Sequence, residues 1–181
     1  MTVRTEASRG EEGTTLIEVI IASALLVTLM AGLMSLGSLS MSTTENQGHL
    51  AARTTEYAQD KMEQLCALAY GDSTSDTRVF PAANSGGSGL AAGGSADPGT
   101  PVALYVDYLD ENGNLCGSTG AACVAPVGTT PPTNWFYQRV WSIAVVSTNL
   151  KQITVTSTIA RGFGRANRAS STLTVLKTNP F

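Results

Sequence analysis

The sequence predicts an α+β fold in which one long N-terminal helix, half of it membrane-spanning and half an amphipathic stalk, packs on a small antiparallel β-meander. Three observations predict it. Val19 to Leu39 is dense in Val, Ile, Ala, Leu and Met, and no charged side chain occurs from Val19 to Thr44. Leu50, Tyr57, Ala58, Met62, Leu65 and Ala69 then recur at helical intervals. Beyond Pro101 the chain turns to segments rich in Val, Ile, Thr and aromatic residues, separated by turn signals.

The apolar run comes first. At roughly 1.5 Å per residue, about twenty such residues cross the ~30 Å hydrocarbon core of a bilayer, so positions 14–39 are expected to form a membrane-inserting helix. A secretory signal peptide has a shorter apolar core, a basic start and a small-residue cleavage site after that core. Here the run is longer, and the candidate processing site lies ahead of it. Thr28 with Gly32, and Ala31 with Ser35, place small residues at the spacing through which helices pack closely in a bilayer. Gly32 and Gly37 equally mark places for the helix to bend or loosen.

Positions 40–70 follow as an amphipathic stalk, with Glu45, Glu56, Asp60, Lys61 and Glu63 mostly on the surface that the apolar stripe leaves. Tyr70-Gly71-Asp72 reads as the stop. A helix from about Thr15 to Tyr70 would run on the order of 80 Å, too long for a compact soluble domain of this size, so half of it has to be embedded in something else.

Positions 71–101 are rich in Gly, Ser, Ala and Asp, with too few large apolar residues for a core of their own, and are expected to be a long surface loop. Val102 to Leu109 alternates as a strand does, and Glu111-Asn112-Gly113-Asn114 is a turn signal. Trp135 to Ser147, Leu150 to Ala160 and Ala169 to Lys177 supply further strands, with Trp141, Ile143 and Val145 on one face and Ile153, Val155 and Ile159 on one face of the next. Positions 102–181 therefore read as a sheet-built head with room for one modest core.

The chain has three cysteines. A head placed in an oxidising space makes a disulfide plausible. Cys116 and Cys123 enclose the flexible loop Gly-Ser-Thr-Gly-Ala-Ala, and this pairing is favoured over a bond to Cys66, which is expected to pack as a small apolar residue of the stalk. Zinc-site spacings are missing. Asp107, Asp110, Glu111, Asn112 and Asn114 offer oxygens of the kind calcium takes, without the EF-hand spacing.

Enzymatic chemistry has little to stand on. His49, the single histidine, sits on the stalk with no acid or nucleophile pattern around it, and Gly162-Phe163-Gly164 lacks the strand-to-helix context of a nucleotide fingerprint. No catalytic residue, cofactor or metal is expected. The net charge is −3, yet every Asp and Glu lies at or before Glu111 while Arg139, Lys151, Arg161, Arg165, Arg168 and Lys177 follow it. Arg161, Arg165 and Arg168 flank Phe163 in a Gly-containing turn, a candidate grip for a phosphate backbone or another anionic surface. The alternatives are matching to the acidic stalks of neighbouring subunits and plain solvation.

The remaining motif is Gly13-Thr14-Thr15-Leu16-Ile17-Glu18, a glycine and, five positions on, a carboxylate at the head of the apolar run. A charge there is costly and asks for a partner. This pattern resembles that of type IV pilin and pseudopilin precursors, which have a short hydrophilic leader, a Gly, a short segment ending in Glu and then an apolar helix. The resemblance implies a leader at positions 1–13, cleavage between Gly13 and Thr14 by a membrane prepilin peptidase, methylation of the Thr14 amine, and assembly with other pilin or pseudopilin subunits. The family usually has Phe where this chain has Thr14. Glu11 and Glu12 beside the Gly are also unusual, while Arg4 and Arg9 keep the positive-inside signal of a cytoplasmic N-terminus. Glu18 is expected to pair with the terminal amine of an adjacent subunit and fix axial register. Asn149 to Val155 is similar, less specifically, to the closing strands of PilV-type minor pilins. The implied role is a structural subunit, a minor one, of a type IV pilus or type II secretion pseudopilus, anchored in the cytoplasmic membrane with its head outside. The rivals are a pilus-associated binding module, an adhesin or DNA receptor using the basic sheet, and an ordinary anchored domain.

Overall fold

The computed structural model describes residues 15–160 and 168–179, apart from the side chains of Thr43 and Asn46. Helix α1 spans Leu16–Ala67, and strands β1 (Gly93–Gly94), β2 (Val106–Leu109), β3 (Tyr137–Ser147), β4 (Leu150–Ile159) and β5 (Ser170–Thr178) follow. The expected α+β layout is present as a long, N-terminal, apolar helix and a five-stranded antiparallel sheet. The chain divides into two compact units, one up to Thr44 and one from Glu45.

Leu, Ala, Met and Glu, all good helix formers, and an absence of Pro carry α1 through its length. It stops at Ala67, short of Tyr70. The cause is local: the Asp72 carboxylate accepts the N–H groups of Thr74 and Ser75, both at 3.0 Å, and the Ser75 hydroxyl at 2.6 Å, so a side-chain-held turn displaces the next helical turn.

In the second unit Tyr57, Ala58, Met62 and Leu65 are buried as the periodicity predicts, but Ala69 is exposed beyond the helix end. Lys61, expected on the surface, is fully buried. Strands β2, β3, β4 and β5 are successive antiparallel neighbours, and β1 extends the β2 side of β3 by pairing with Ser142 and Ile143. Alternate residues of the sheet, Trp141, Ile143, Ile153 and Val155, close on Ala58, Met62 and Leu65 of α1. Tyr57, Leu109, Tyr137 and Ile159 form a second cluster. On the opposite face Val106, Tyr108 and Val140 are covered by Cys116, Cys123 and Trp135, so the centre of the sheet is buried on both sides. Val145, placed by the sequence on one face with Trp141 and Ile143, is exposed where the β3–β4 register shifts before Ser147.

The 71–101 segment is more than a surface loop. Leu90 is fully buried in the core with Trp141, and Gly93–Gly94 pairs with β3. Gly94 has φ +81°, and a Cβ there would run into the Trp141 carbonyl oxygen, so this approach needs glycine. Sequence reading missed the segment because one leucine and two glycines leave no periodic signal.

Candidate functional site

Among its described residues the first unit presents an apolar surface with one charge. The Thr15 carbonyl accepts the N–H groups of Glu18 at 2.9 Å and Val19 at 3.3 Å and so opens the helix. Glu18 stands in the first turn, where the helix dipole favours a carboxylate. Among the described residues no side chain pairs with it. The apolar side chains around it face outward, from Leu16 at 81 % exposure to Val19 at 51 %. Ser23, Thr28 and Ser35 donate their hydroxyls back to the carbonyls of Val19, Leu25 and Gly32 at 2.6, 2.9 and 2.9 Å. A Cβ on Gly32 or Gly37 would meet nothing within 4 Å, so nothing in the chain's own packing requires these glycines. α1 is long and apolar enough to cross a membrane.

Gly13, Thr14, Arg161 and Arg165 lie outside the described residues. Arg168 is exposed just before β5. The other basic groups of the sheet are bonded within the head. Lys151 donates to the carbonyls of Tyr70 at 2.7 Å and Leu90 at 2.9 Å, and Lys177 donates to that of Cys66. Arg139 pairs with Asp107.

Cys116 and Cys123 form a disulfide, S–S 1.97 Å, and Cys66 is a free, half-buried thiol. The bridge closes the acidic turn. Asp110 accepts the backbone N–H groups of Asn112 at 2.9 Å, Asn114 at 2.8 Å and Ala122 at 3.0 Å, and the Asn114 amide at 3.1 Å. Burial raises the Asp110 carboxyl, and those donors outweigh it to hold the group below the usual carboxylate range. Its oxygens thus organise the loop. His49 is exposed.

Sequence reasoning missed the cluster that fixes α1 to the sheet. Asp107 on β2 is the ladder partner of Arg139 on β3. Lys61 of α1 reaches the same carboxylate at 2.6 Å, donates to the Thr77 carbonyl, and stands over the Trp141 ring at 4.7 Å from its centroid. Burial pushes the Lys61 ammonium down to about 8 against the pull of Asp107. Burial also raises the Asp107 carboxyl, but Arg139 and Lys61 beside it win and hold it below its ordinary range. The signal was present. Position 61 is four residues from both Tyr57 and Leu65, on the buried stripe, and Asp107 has the inward parity of Leu109.

Comparison of the chain with family models, with curated proteins and with solved structures returned no match.

Proposed function

We propose that the chain is a minor structural subunit of a type IV pilus or type II secretion pseudopilus. Its leader is removed after Gly13 by a prepilin peptidase. It waits in the cytoplasmic membrane with its head outside the cytoplasm and enters a cell-surface or periplasmic filament through its N-terminal helix. The observation that carries this reading is Glu18, a carboxylate in the first turn of an exposed apolar helix with no partner among the described residues. Such a group calls for a cation from outside its own chain, and a free amine at Thr14 of an adjacent subunit supplies one. Two further features support assembly by helix packing. The hydroxyls of Ser23, Thr28 and Ser35 are satisfied internally, as an apolar surrounding favours. Gly32 and Gly37 leave room for a neighbouring backbone.

A head that grips nucleic acid has less in its favour. Arg139, Lys151 and Lys177 hold internal partners, which leaves few free cations for phosphate among the described residues of the sheet.

The test is the N-terminal mass of the protein recovered from membranes with its native processing machinery present. A chain beginning at Thr14 and carrying one added methyl group is the expected result. A retained Met1–Gly13 leader would overturn the reading and return the chain to a simple anchored domain.

A further inference from the structure

The two edges of the sheet are finished differently. Outside β2 the chain folds back on itself: the Cys116 N–H donates to the Tyr108 carbonyl at 2.9 Å, Leu109 bridges to Leu115, and every residue of β2 is buried. At the other edge β5 pairs with β4 alone. It runs for nine residues and keeps an unbroken register with β4 from Ser170 to Thr178. Proteins blunt such an edge with a short strand, a proline, a bulge or a charge. β5 has no proline and no bulge, and from Ser170 to Leu176 it carries no charge.

The parity of the ladder identifies the open backbone groups. The Ile159 N–H donates to the Ala169 carbonyl at 3.3 Å, and the Asn179 N–H donates to the Asn149 carbonyl at 3.0 Å. Bonded and non-bonded pairs alternate along an antiparallel ladder, so the odd-numbered residues of β5 bond to β4. Ser170, Thr172, Thr174, Leu176 and Thr178 turn their N–H and C=O groups the other way, at intervals of about 6.8 Å. Among the described residues nothing bonds to those groups. The strand is also held in place. The Ser171 hydroxyl bonds to those of Thr54 and Thr55 of α1 at 3.1 and 2.7 Å, and Lys177 donates to the Cys66 carbonyl.

The row of groups dictates the chemistry of its occupant. An extended backbone presents donors and acceptors at the same interval and adds to a sheet edge as one more strand. On the α1 side such a strand meets Leu173, half-buried against the core, and Val175, 37 % exposed. On the other side it meets Thr172 and Thr174, whose hydroxyls bond to those of Thr156 and Thr154 at 3.0 and 3.2 Å. Arg168 stands exposed just before β5, and no acid follows Glu111 in the chain. A second copy of β5 therefore brings only like charge to this edge, whereas a strand of another protein can bring an acid.

We propose that the β5 edge accepts an extended strand of a different protein, one that alternates apolar with hydroxyl-bearing residues and places an acid beside Arg168. The contact goes beyond the assembly reading and does not rest on it, since it uses the head alone.

The experiment places p-benzoylphenylalanine at Leu176, which is 59 % exposed, in the full-length chain, irradiates native membranes and maps the adduct by mass spectrometry. The expected adduct joins Leu176's position to a segment of the stated composition in a different protein. In the isolated adduct the Thr172 and Thr174 amides should exchange about tenfold more slowly than in the free chain, because each gains a hydrogen bond. Thr174→Pro removes an outward N–H without touching the β4 ladder, so the head should stay folded while the adduct falls about tenfold. If that variant melts early, Thr174→Lys should lower the yield through charge alone. An absent adduct, an adduct with a second copy, unchanged exchange at Thr172 and Thr174, or a yield indifferent to the folded variant would each overturn the contact. The N-terminal mass is measured on the same preparation. Processing to Thr14 without this adduct removes the contact alone, whereas the adduct on a chain that keeps its leader preserves the contact and removes the pilin reading.

Discussion

Asp107 and Arg139 face each other across the β2–β3 ladder and join through hydrogen bonds of 2.7 and 2.9 Å, with Lys61 of α1 on the same carboxylate. All three are buried, so two cations depend on one anion. Asp107→Asn should therefore cost about 3–5 kcal/mol of stability, because it strands both cations. Lys61→Met should cost less, since it leaves a neutral pair behind. Chemical denaturation of the three proteins checks the order, and equal losses would contradict this account.

The same cluster predicts a pH dependence. Burial pushes the Lys61 ammonium from its ordinary 10.5 to about 8 in the fold, with Asp107 and Asp76 opposing that push and Arg139 adding to it. Between these values the unfolded chain binds a proton that the native chain lacks, so stability rises with pH from about 8 to 10.5, and this contribution is lost as pH falls through about 8. Lys61→Met should flatten that rise in a plot of melting temperature against pH. At the acid end Asp72, Asp76, Asp107 and Asp110 are all held below the ordinary carboxylate value, so stability should fall as pH drops below 3.8.

Glu18→Ala should leave the head folded, because Glu18 lies in the other compact unit. It should abolish incorporation into filaments. Recovery of the variant in sheared filaments at the wild-type level would remove the pairing role assigned to Glu18.

The Cys116–Cys123 bridge closes a loop of sequence separation 7. Replacing both cysteines by serine should lower stability by about 2.5 kcal/mol on the loop-entropy model. It should also release the Ala122 N–H from Asp110, since the bridge holds those segments together. Hydrogen exchange at Ala122 measures the second effect apart from the first.

Glycine substitutions should act in opposite directions in the two units. Gly94→Ala forces a side chain against the Trp141 carbonyl at φ +81° and should destabilise the head by more than ~1 kcal/mol. Gly32→Ala meets nothing and should favour the helix by up to ~1 kcal/mol. If a neighbouring helix packs there, it should nonetheless reduce assembly. Helicity by circular dichroism and filament yield test the two halves of that statement.

The apolar helix, its amphipathic continuation and the faces of β3 and β4 were legible because each repeats with a fixed period. Tyr57, Ala58, Met62 and Leu65 line up at helical spacing, and Ile153, Val155 and Ile159 share one strand parity. The disulfide was legible from the short flexible loop between its cysteines. Lys61 was read as a surface residue because charge was weighed above position, and a buried cation is recognised only through its partners, here on β2 and β3. Leu90 was lost for a related reason. Its burial depends on a long-range approach of the 71–101 segment to Trp141, which no local pattern encodes. Gly13, Thr14, Arg161 and Arg165 rest on sequence alone.

The hydroxyls of Ser23, Thr28 and Ser35 are bonded to carbonyls of their own helix. The segment therefore carries its polar bookkeeping with it wherever it goes. Moved from lipid into a bed of other helices, these three side chains would neither gain nor lose a hydrogen bond, so the two environments would differ to them chiefly in how closely neighbours pack. Such side chains make the helix portable, and under the assembly proposed above Glu18 is the charged group that would register its arrival.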